Sequence, residues 1–195
     1  MLTISVNVDM DATVRHLAGL QKQVTYAAAR ALTATAKQAA LDVQAKLPEV
    51  LDRPTPFTIR SVAWQYANKQ TLTSAVYFRP IAAAYIAPLI TGETVRPKKR
   101  ALLVPENIKL DRYGNMSRNA IRNLIKRKDV FSGTVKGVPG LWQRYGRKVR
   151  LLVAYEPLQR KPKKFPFARI VQSSVEREWR RQFAAAWSTA MATAR

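Results

Sequence analysis

Residue types that carry out acid–base or nucleophilic catalysis are scarce in this chain. His16 is the only histidine, so a Ser/His/Asp or Cys/His arrangement would have to use it. It lies in a helical stretch among basic and polar residues, without a supporting acid or nucleophile beside it. Cysteine is absent, which excludes disulfides, zinc ribbons and thiol catalysis. The sequence therefore predicts a surface or interface position for His16 and no catalytic residue.

Carboxylates, the groups that metal sites and nucleases need in clusters, are spread singly along the chain. The isolated ones in the middle of the chain are Glu93, Glu106, Asp111, Asp129 and Glu156. Asp9 and Asp11 are better explained by helix capping and the helix dipole, and Glu176 and Glu178 do not share a helical face. No glycine-rich loop matches a phosphate-binding pattern, and no familiar DNA-binding motif is present. We therefore expect no metal, no cofactor and no enzymatic activity.

Lysine and arginine, by contrast, are in large excess. The 195 residues include 34 Lys and Arg against 12 Asp and Glu, a formal net charge of +22. Residues 1–52 hold five bases and five acids, whereas residues 96–164 hold twenty bases and four acids. Because so much like charge repels itself, it indicates an anionic neighbour: DNA, RNA, anionic lipid or an acidic protein.

The bases of the middle segment are predicted to bind a polyanion, most plausibly nucleic acid, in a salt-dependent and sequence-independent manner. The alternative is that these lysines and arginines form a solvated surface that binds no polyanion. Trp142 and Tyr145 lie among them and could stack on bases of a single strand, or could pack locally instead. The predicted polyanion-binding residues are Arg96, Lys98, Lys99, Arg100, Arg118, Arg122, Lys126, Arg127, Lys128, Arg144, Arg147, Lys148, Arg150, Lys161, Lys163 and Lys164.

At the N-terminal end, alternation from Leu2 to Val8 predicts a short strand, and a long helix follows up to Pro48. Eleven alanines between Ala12 and Ala45 favour the helix and allow a partner to approach closely. Two interpretations of this face remain open: packing within its own domain, or an interface between subunits. A bulky residue at Ala28 or Ala31 is expected to disturb either arrangement.

The rest of the chain alternates between short strands, helices and a glycine-rich stretch. Residues 129–146 contain four glycines and a proline, which predicts a loop. The last helix carries an apolar stripe with a repeat of four residues, from Val171 to Met191, which drifts around the helix. The predicted elements are strands at 62–67 and 72–79 joined by a turn at 68–71, a helix at 81–90 ended by Gly92, strands at 102–104 and 151–155, a helix at 118–127 capped by Ser117, an extended basic strip at 160–164, and a helix from Pro166 to about Thr193.

These elements predict one α+β domain over residues 1–195. An antiparallel β-sheet packs against the long N-terminal helix and the C-terminal helix, and a basic, loop-rich insertion lies between them. The predicted segments are a neutral strand plus helix at 1–52, the basic insertion at 95–164 and the C-terminal helix at 166–194. No apolar run approaches the length of a membrane span, and the N-terminus does not resemble a secretory signal. We therefore expect a protein made and used in the cytoplasm.

The order of several short segments resembles the tailed-bacteriophage minor tail and tail-completion proteins, of the minor tail protein Z kind. The resemblance spans most of the chain, but its motifs are short, and segment 95–164 is longer and more basic than the minimal family pattern. The Tyr-Gly-Asn and Pro-Phe segments are the more specific ones. The segments are Pro54-Thr-Pro-Phe-Thr58, Val76-Tyr-Phe-Arg79, Tyr85-Ile-Ala-Pro-Leu-Ile-Thr-Gly92, Arg96-Pro-Lys-Lys-Arg100, Tyr113-Gly-Asn-Met-Ser-Arg118 and Phe165-Pro-Phe-Ala-Arg169.

The resemblance implies a structural role without an active site, in a ring at the head–tail junction (the neck) or the proximal tail. The implied partners are other virion proteins (connector, tail or tail-tube proteins), further copies of the chain in a symmetric homo-oligomer, and packaged DNA. The implied location is the virion, and the host cytoplasm during assembly. A basic middle segment suits a DNA-filled channel or an acidic neighbouring ring. The alternatives are a stand-alone, sequence-nonspecific nucleic-acid-binding protein and, third, an enzyme such as a nuclease.

Overall fold

The computed structural model describes residues 10–97 and 100–193, with side chains from residue 19 onward in those ranges. Helices and antiparallel strands alternate along the chain, which confirms the predicted α+β class. The predicted strand at 2–8, the cap Asp9, the side chains of Asp11 and His16, and residues Lys98 and Lys99 lie outside this description. The elements are α1 (Met10–Val50), α2 (Pro56–Ile59), β1 (Val62–Gln65), β2 (Ala75–Phe78), α3 (Pro80–Thr91), β3 (Thr94–Val95), β4 (Leu102–Pro105), α4 (Ala120–Ile125), β5 (Val130–Val135), β6 (Val138–Tyr145), β7 (Lys148–Glu156), β8 (Gln159–Arg160) and α5 (Phe167–Ala192).

The chain forms two compact units, and each combines segments that are distant in sequence. The first unit comprises the described residues of Met1–Ala45, Arg60–Arg79 and Phe167–Arg195. The second comprises Lys46–Ile59 and Pro80–Pro166. The predicted basic insertion, 95–164, therefore falls within the second unit.

In the first unit, α1 presents a face of small residues to the aromatic face of α5. Ala27 and Ala31 are buried together with Ala186 and Ala190, and the rings of Trp179, Phe183 and Trp187 pack against this cluster. Alanine favours the helix and also leaves room for the indole rings of the facing helix. This part of the alanine face is therefore covered within its own chain.

The hairpin of β1 and β2 completes the first unit. The strands pair antiparallel, and the side chain of Asn68 accepts hydrogen bonds from the amides of Gln70 and Thr71, which confirms the predicted turn. The amide of Ala67 donates to Thr33 Oγ1 on α1 at 3.0 Å, and the rings of Phe78 and Phe167 lie 5.4 Å apart. The hairpin thus packs on both helices, as the sequence predicted.

Replacing Ala31 with leucine should destabilise the first unit by about 2 kcal/mol, because Ala31 is fully buried and the added carbons would overpack the cluster. Leucine and alanine have similar helix propensities, so the loss reports packing. Urea unfolding followed by circular dichroism measures it. The control is Ala185→Leu at an exposed position of α5, which should change stability by less than about 0.5 kcal/mol. Equal losses in the two variants would contradict the assignment.

A carboxylate on α1 is held by several donors from α1 and α5. Ser174 Oγ and Arg177 Nη2 donate to Asp42 Oδ2 at 2.6 and 2.5 Å, and Gln38 Nε2 donates to Asp42 Oδ1 at 3.0 Å. Burial by itself would raise the pKa of Asp42, but these hydrogen bonds outweigh it and hold the pKa below its ordinary value of 3.8. The ionised form of Asp42 therefore stabilises the folded state.

Asp42→Asn should cost about 2 kcal/mol of stability at pH 7, since it weakens charge-assisted hydrogen bonds at a partly buried site. A lowered folded-state pKa means that this contribution is complete well above pH 3.8 and is lost as pH falls through the lower folded value. Urea unfolding should therefore show that the difference in the free energy of unfolding between variant and parent is smaller at pH 3 than at pH 7. Glu49→Gln, at an exposed ion pair, is the control and should cost less than about 0.5 kcal/mol. A gap that widens in acid would refute this.

The second unit is built on a four-stranded antiparallel sheet of order β4-β7-β6-β5. The buried side chains of Val130, Leu141, Leu152 and Val153 form its core, and Ile121 and Leu124 of α4 pack against them among other apolar residues. Much of the predicted basic insertion is therefore regular sheet, and three of the predicted bases, Arg144, Lys148 and Arg150, lie on its strands.

The prediction of a loop over 129–146 is wrong, because this stretch is the hairpin of β5 and β6. Its glycines serve the hairpin itself. Lys136 and Gly137 have φ angles of 51° and 81° and form the two-residue turn between Val135 and Val138. Gly140 lies where β6 and β7 approach closely, since a Cβ there would be 2.4 Å from the carbonyl oxygen of Val153.

Three helix ends were also predicted from local signals. Gly92 ends α3 with φ 82° and donates to the carbonyl of Pro88, as predicted. Helix α1 runs past Pro48 to Val50, because Pro48 lacks only its own amide hydrogen and the amide of Leu51 still donates to the carbonyl of Leu47 at 2.9 Å. The predicted helix 118–127 is shorter, Ala120–Ile125, and Asn119 rather than Ser117 is its N-cap, without a side-chain hydrogen bond.

Candidate polyanion interface

The fourteen described residues of the predicted polyanion-binding set lie in the second unit. The other two, Lys98 and Lys99, lie outside the described residues. The described bases are exposed, except Lys161, which is half-buried. They come from two regions of the unit. One region consists of α4 and the hairpin of β6 and β7, and the other consists of the segment around β3 and β8.

The β6–β7 hairpin arranges bases around an aromatic ring. Its register pairs Tyr145 with Lys148 and Gln143 with Arg150. Since partners across an antiparallel pair point to the same face, Tyr145, Lys148 and Arg150 share one face of the hairpin. The side chain of Tyr145 is 71% exposed, so its ring is accessible beside two cations. This geometry suits stacking on a base next to phosphate contacts.

The prediction that Trp142 could stack on a base is wrong, whereas local packing, the other interpretation, holds for it. Trp142 pairs with Phe131 and Leu151 in the interior of the sheet and is only 8% exposed. With so small an exposed fraction, the indole ring is not accessible to a nucleotide base. The two aromatics differ because Tyr145 is at the end of β6, next to the turn, and Trp142 is in the strand interior.

Arg127 is partly neutralised by a carboxylate. Its Nε and Nη2 atoms donate to Asp129 Oδ1 and Oδ2 at 3.0 and 2.6 Å, and Gln143 Nε2 donates to Asp129 Oδ2 at 2.8 Å. The Arg127 hydrogen bonds, followed by that of Gln143, lower the pKa of Asp129 to about 2. Arg150 Nη2 in turn donates to Gln143 Oε1 at 3.1 Å. These hydrogen bonds connect Arg127 to Arg150 through Asp129 and Gln143, and they hold both guanidinium groups in position.

These two arginines line a cleft of about 420 Å³. Asn107 and Lys109 line the same cleft, and Asn107 Nδ2 donates to the carbonyl of Leu151 on β7. Lys109 is exposed and was missed from the sequence, because it stands alone between Ile108 and Leu110 rather than in a basic run. The cleft provides amide donors beside positive charge, a combination suited to phosphate oxygens.

The basic strip Arg160–Lys164 is fixed through its backbone. Strand β8 pairs antiparallel with β3, and the amides of Lys164 and Phe165 both donate to the carbonyl of Leu89, at 2.9 and 3.0 Å. Leu89 lies in the last turn of α3, where carbonyl groups lack helical partners. The strip therefore caps α3 with its backbone while the side chains of Lys163 and Lys164 remain exposed.

Three of the segments that carry the family resemblance meet at another cleft in the second unit, of about 410 Å³. Thr58 Oγ1 lies 2.9 Å from Tyr85 Oη and 3.0 Å from Thr55 Oγ1. Tyr113 and Asn115 line the opposite part of the cleft, and their amides both donate to Asp111 Oδ1 at 2.8 Å. The Thr-Pro loop, α3 and the Tyr-Gly-Asn turn thus form one local structure.

Within residues 10–97 and 100–193, no three His, Asp or Glu side chains are grouped as metal ligands would be. None of the helices described is both long enough and apolar enough to cross a membrane. No protein-family model, curated protein or solved structure matches this chain significantly.

Proposed function

We propose that this protein is a structural component of a tailed-bacteriophage virion that acts in tail completion or head–tail joining. In this role its basic surface faces DNA or an acidic neighbouring ring. The observation that carries the proposal is the placement of fourteen described candidate bases on one compact unit, where all of them except Lys161 are exposed. Exposed lysine and arginine side chains on this unit suit the binding of an anionic surface, which is a structural rather than a catalytic role.

The specific role in a virion is supported by the family resemblance. Segments 54–58, 85–92 and 113–118, which are far apart in the sequence, contribute to one cleft in the second unit. Short motifs that pack on one another are expected where a family keeps a structural module. The alternative, a stand-alone nonspecific nucleic-acid-binding protein, requires the basic surface but not the cleft.

The mass of the protein in solution distinguishes the two functions. Nuclease-treated protein is measured by light scattering at low and at high salt, and the 260/280 nm absorbance ratio is recorded before treatment. A discrete oligomer that survives high salt, and that forms rings in negative-stain electron microscopy, is expected for the virion protein. A monomer that releases nucleic acid at high salt would favour the alternative, since phosphate contacts weaken with salt.

A further inference from the structure

A cleft of about 630 Å³ in the first unit combines aromatic rings with positive charge, far in sequence from the basic segment 96–164. One wall is α1, and the other is the end of β1 with the turn that follows it. None of the residues described along its walls is acidic. The rings and charges that line it belong to Tyr26, Trp64, Tyr66, Arg30, Lys37 and Lys69.

The α1 wall follows from helical spacing. Tyr26, Arg30, Thr33 and Lys37 are separated by four, three and four residues, so they lie along one face of the helix. A smaller cleft of about 420 Å³, lined by Lys22 and Lys69 among others, adjoins the same face. At about 1.5 Å per residue, the face from Lys22 to Lys37 is about 22 Å long. It is long enough for a short linear polymer rather than a single ion.

The positive charges of the cleft are directed at an aromatic ring. Lys69 Nζ lies 5.1 Å from the centre of the Tyr26 ring and Arg30 Cζ lies 5.6 Å from it, while Arg30 Nη1 donates to Tyr26 Oη at 3.2 Å. In the described part of the chain, Arg30, Lys37 and Lys69 form no ion pair with a carboxylate. Their charge is therefore available to an anionic ligand.

The aromatic wall provides an accessible ring. The side chain of Tyr66 is 70% exposed, and its ring centre lies 6.3 Å from that of Trp64, which is half-buried. An exposed tyrosine beside a half-buried indole is a surface on which a flat ring can stack. Duplex DNA hides its bases and an acidic peptide need carry no flat rings, so neither uses this feature.

We propose that this cleft binds single-stranded nucleic acid. A base stacks on Tyr66, and Arg30, Lys37 and Lys69 contact the phosphates that flank it. The site is in the first unit, so it is distinct from the basic surface of the second unit and does not depend on a role in the virion. The stacking site adds a preference for single strands that a surface of lysine and arginine side chains alone would not provide.

The test measures the anisotropy of a fluorescent oligothymidylate of about ten nucleotides, with the full-length protein. Excess unlabelled duplex DNA is present to occupy the basic surface. Tyr66→Ala should weaken binding about tenfold, the loss of one stacked base. Tyr77→Ala removes an exposed tyrosine from the same hairpin that does not line the cleft, and should change the affinity less than about twofold. Arg30→Gln combined with Lys37→Gln should weaken binding and reduce its salt dependence.

Ultraviolet cross-linking of the same oligonucleotide, with the attachment mapped by mass spectrometry, locates the site without any substitution. Attachment within residues 64–69 supports the proposal, and attachment confined to residues 141–150 overturns it. Complete displacement by duplex DNA would overturn it as well. So would binding of polyglutamate with no binding of the oligonucleotide, which would identify an acidic protein as the occupant. Circular dichroism of each variant confirms that the fold is retained.

Discussion

Gly140→Ala is expected to destabilise the second unit by about 3 kcal/mol. A Cβ at position 140 would lie 2.4 Å from the carbonyl oxygen of Val153 and 2.7 Å from Leu151 Cδ1. The first neighbour is backbone of the paired strand β7, so relief requires β6 and β7 to move apart. The shift of the urea-unfolding midpoint relative to the parent protein measures this loss of stability.

Gly133 provides a matched control, because it is the residue directly opposite Gly140 in the β5–β6 ladder. A Cβ at Gly133 would meet only the ring of Phe131, at an ordinary 3.6 Å. Gly133→Ala should therefore be neutral or stabilise the sheet by up to about 1 kcal/mol, since alanine loses less backbone entropy than glycine. Similar stabilities for the two variants would show that the strands do not approach at Gly140 as described.

Reversing two charges on the basic strip should weaken DNA binding strongly. Lys163 and Lys164 are exposed while the backbone of the strip is held on α3, so Lys163→Glu with Lys164→Glu changes charge without removing a backbone contact. We expect about 100-fold lower affinity for a nonspecific duplex at about 0.1 M salt, and a salt dependence smaller by about two counterions. Titration with a labelled duplex at several salt concentrations measures both quantities.

The control for this change is Arg169→Glu with Arg180→Glu, which alters the net charge equally. Both arginines are exposed on α5, in the first unit, and neither is one of the predicted interface residues. If only overall charge mattered, the two double variants would lose affinity equally. A much smaller loss for the α5 variant supports a localised surface, and an equal loss would refute it. Unchanged melting temperatures should show that neither pair disrupts folding.

Local patterns were sufficient to predict several elements. Alanine content and apolar spacing predicted α1 and α5, because helical propensity and periodicity depend on neighbours in sequence. The alternation in β1 and β2 and the Asn68 turn predicted the first hairpin for the same reason. The excess charge of residues 96–164 also follows from composition alone. Exposure of those bases was expected as well, since burying an unpaired charge is costly.

Other features depended on contacts between distant residues. Glycines in 129–146 suggested a loop, but β5 and β6 pair there as a hairpin, and the close approach at Gly140 is defined by pairing with β7. The buried position of Trp142 is decided by the same sheet. Local composition cannot distinguish a glycine that frees the chain from one that lets two strands meet.

For function, the sequence by itself determined that the protein is strongly basic, that thiol chemistry is excluded and that the surplus charge is concentrated in its middle. Only the tertiary structure decided which charges remain available. It pairs Arg127 with Asp129, fixes the strip at Lys164 on α3, and places Lys69 over Tyr26 in a cleft of the first unit. The physical reason is that charge is a property of each residue, whereas pairing, burial and stacking depend on distances that only folding sets.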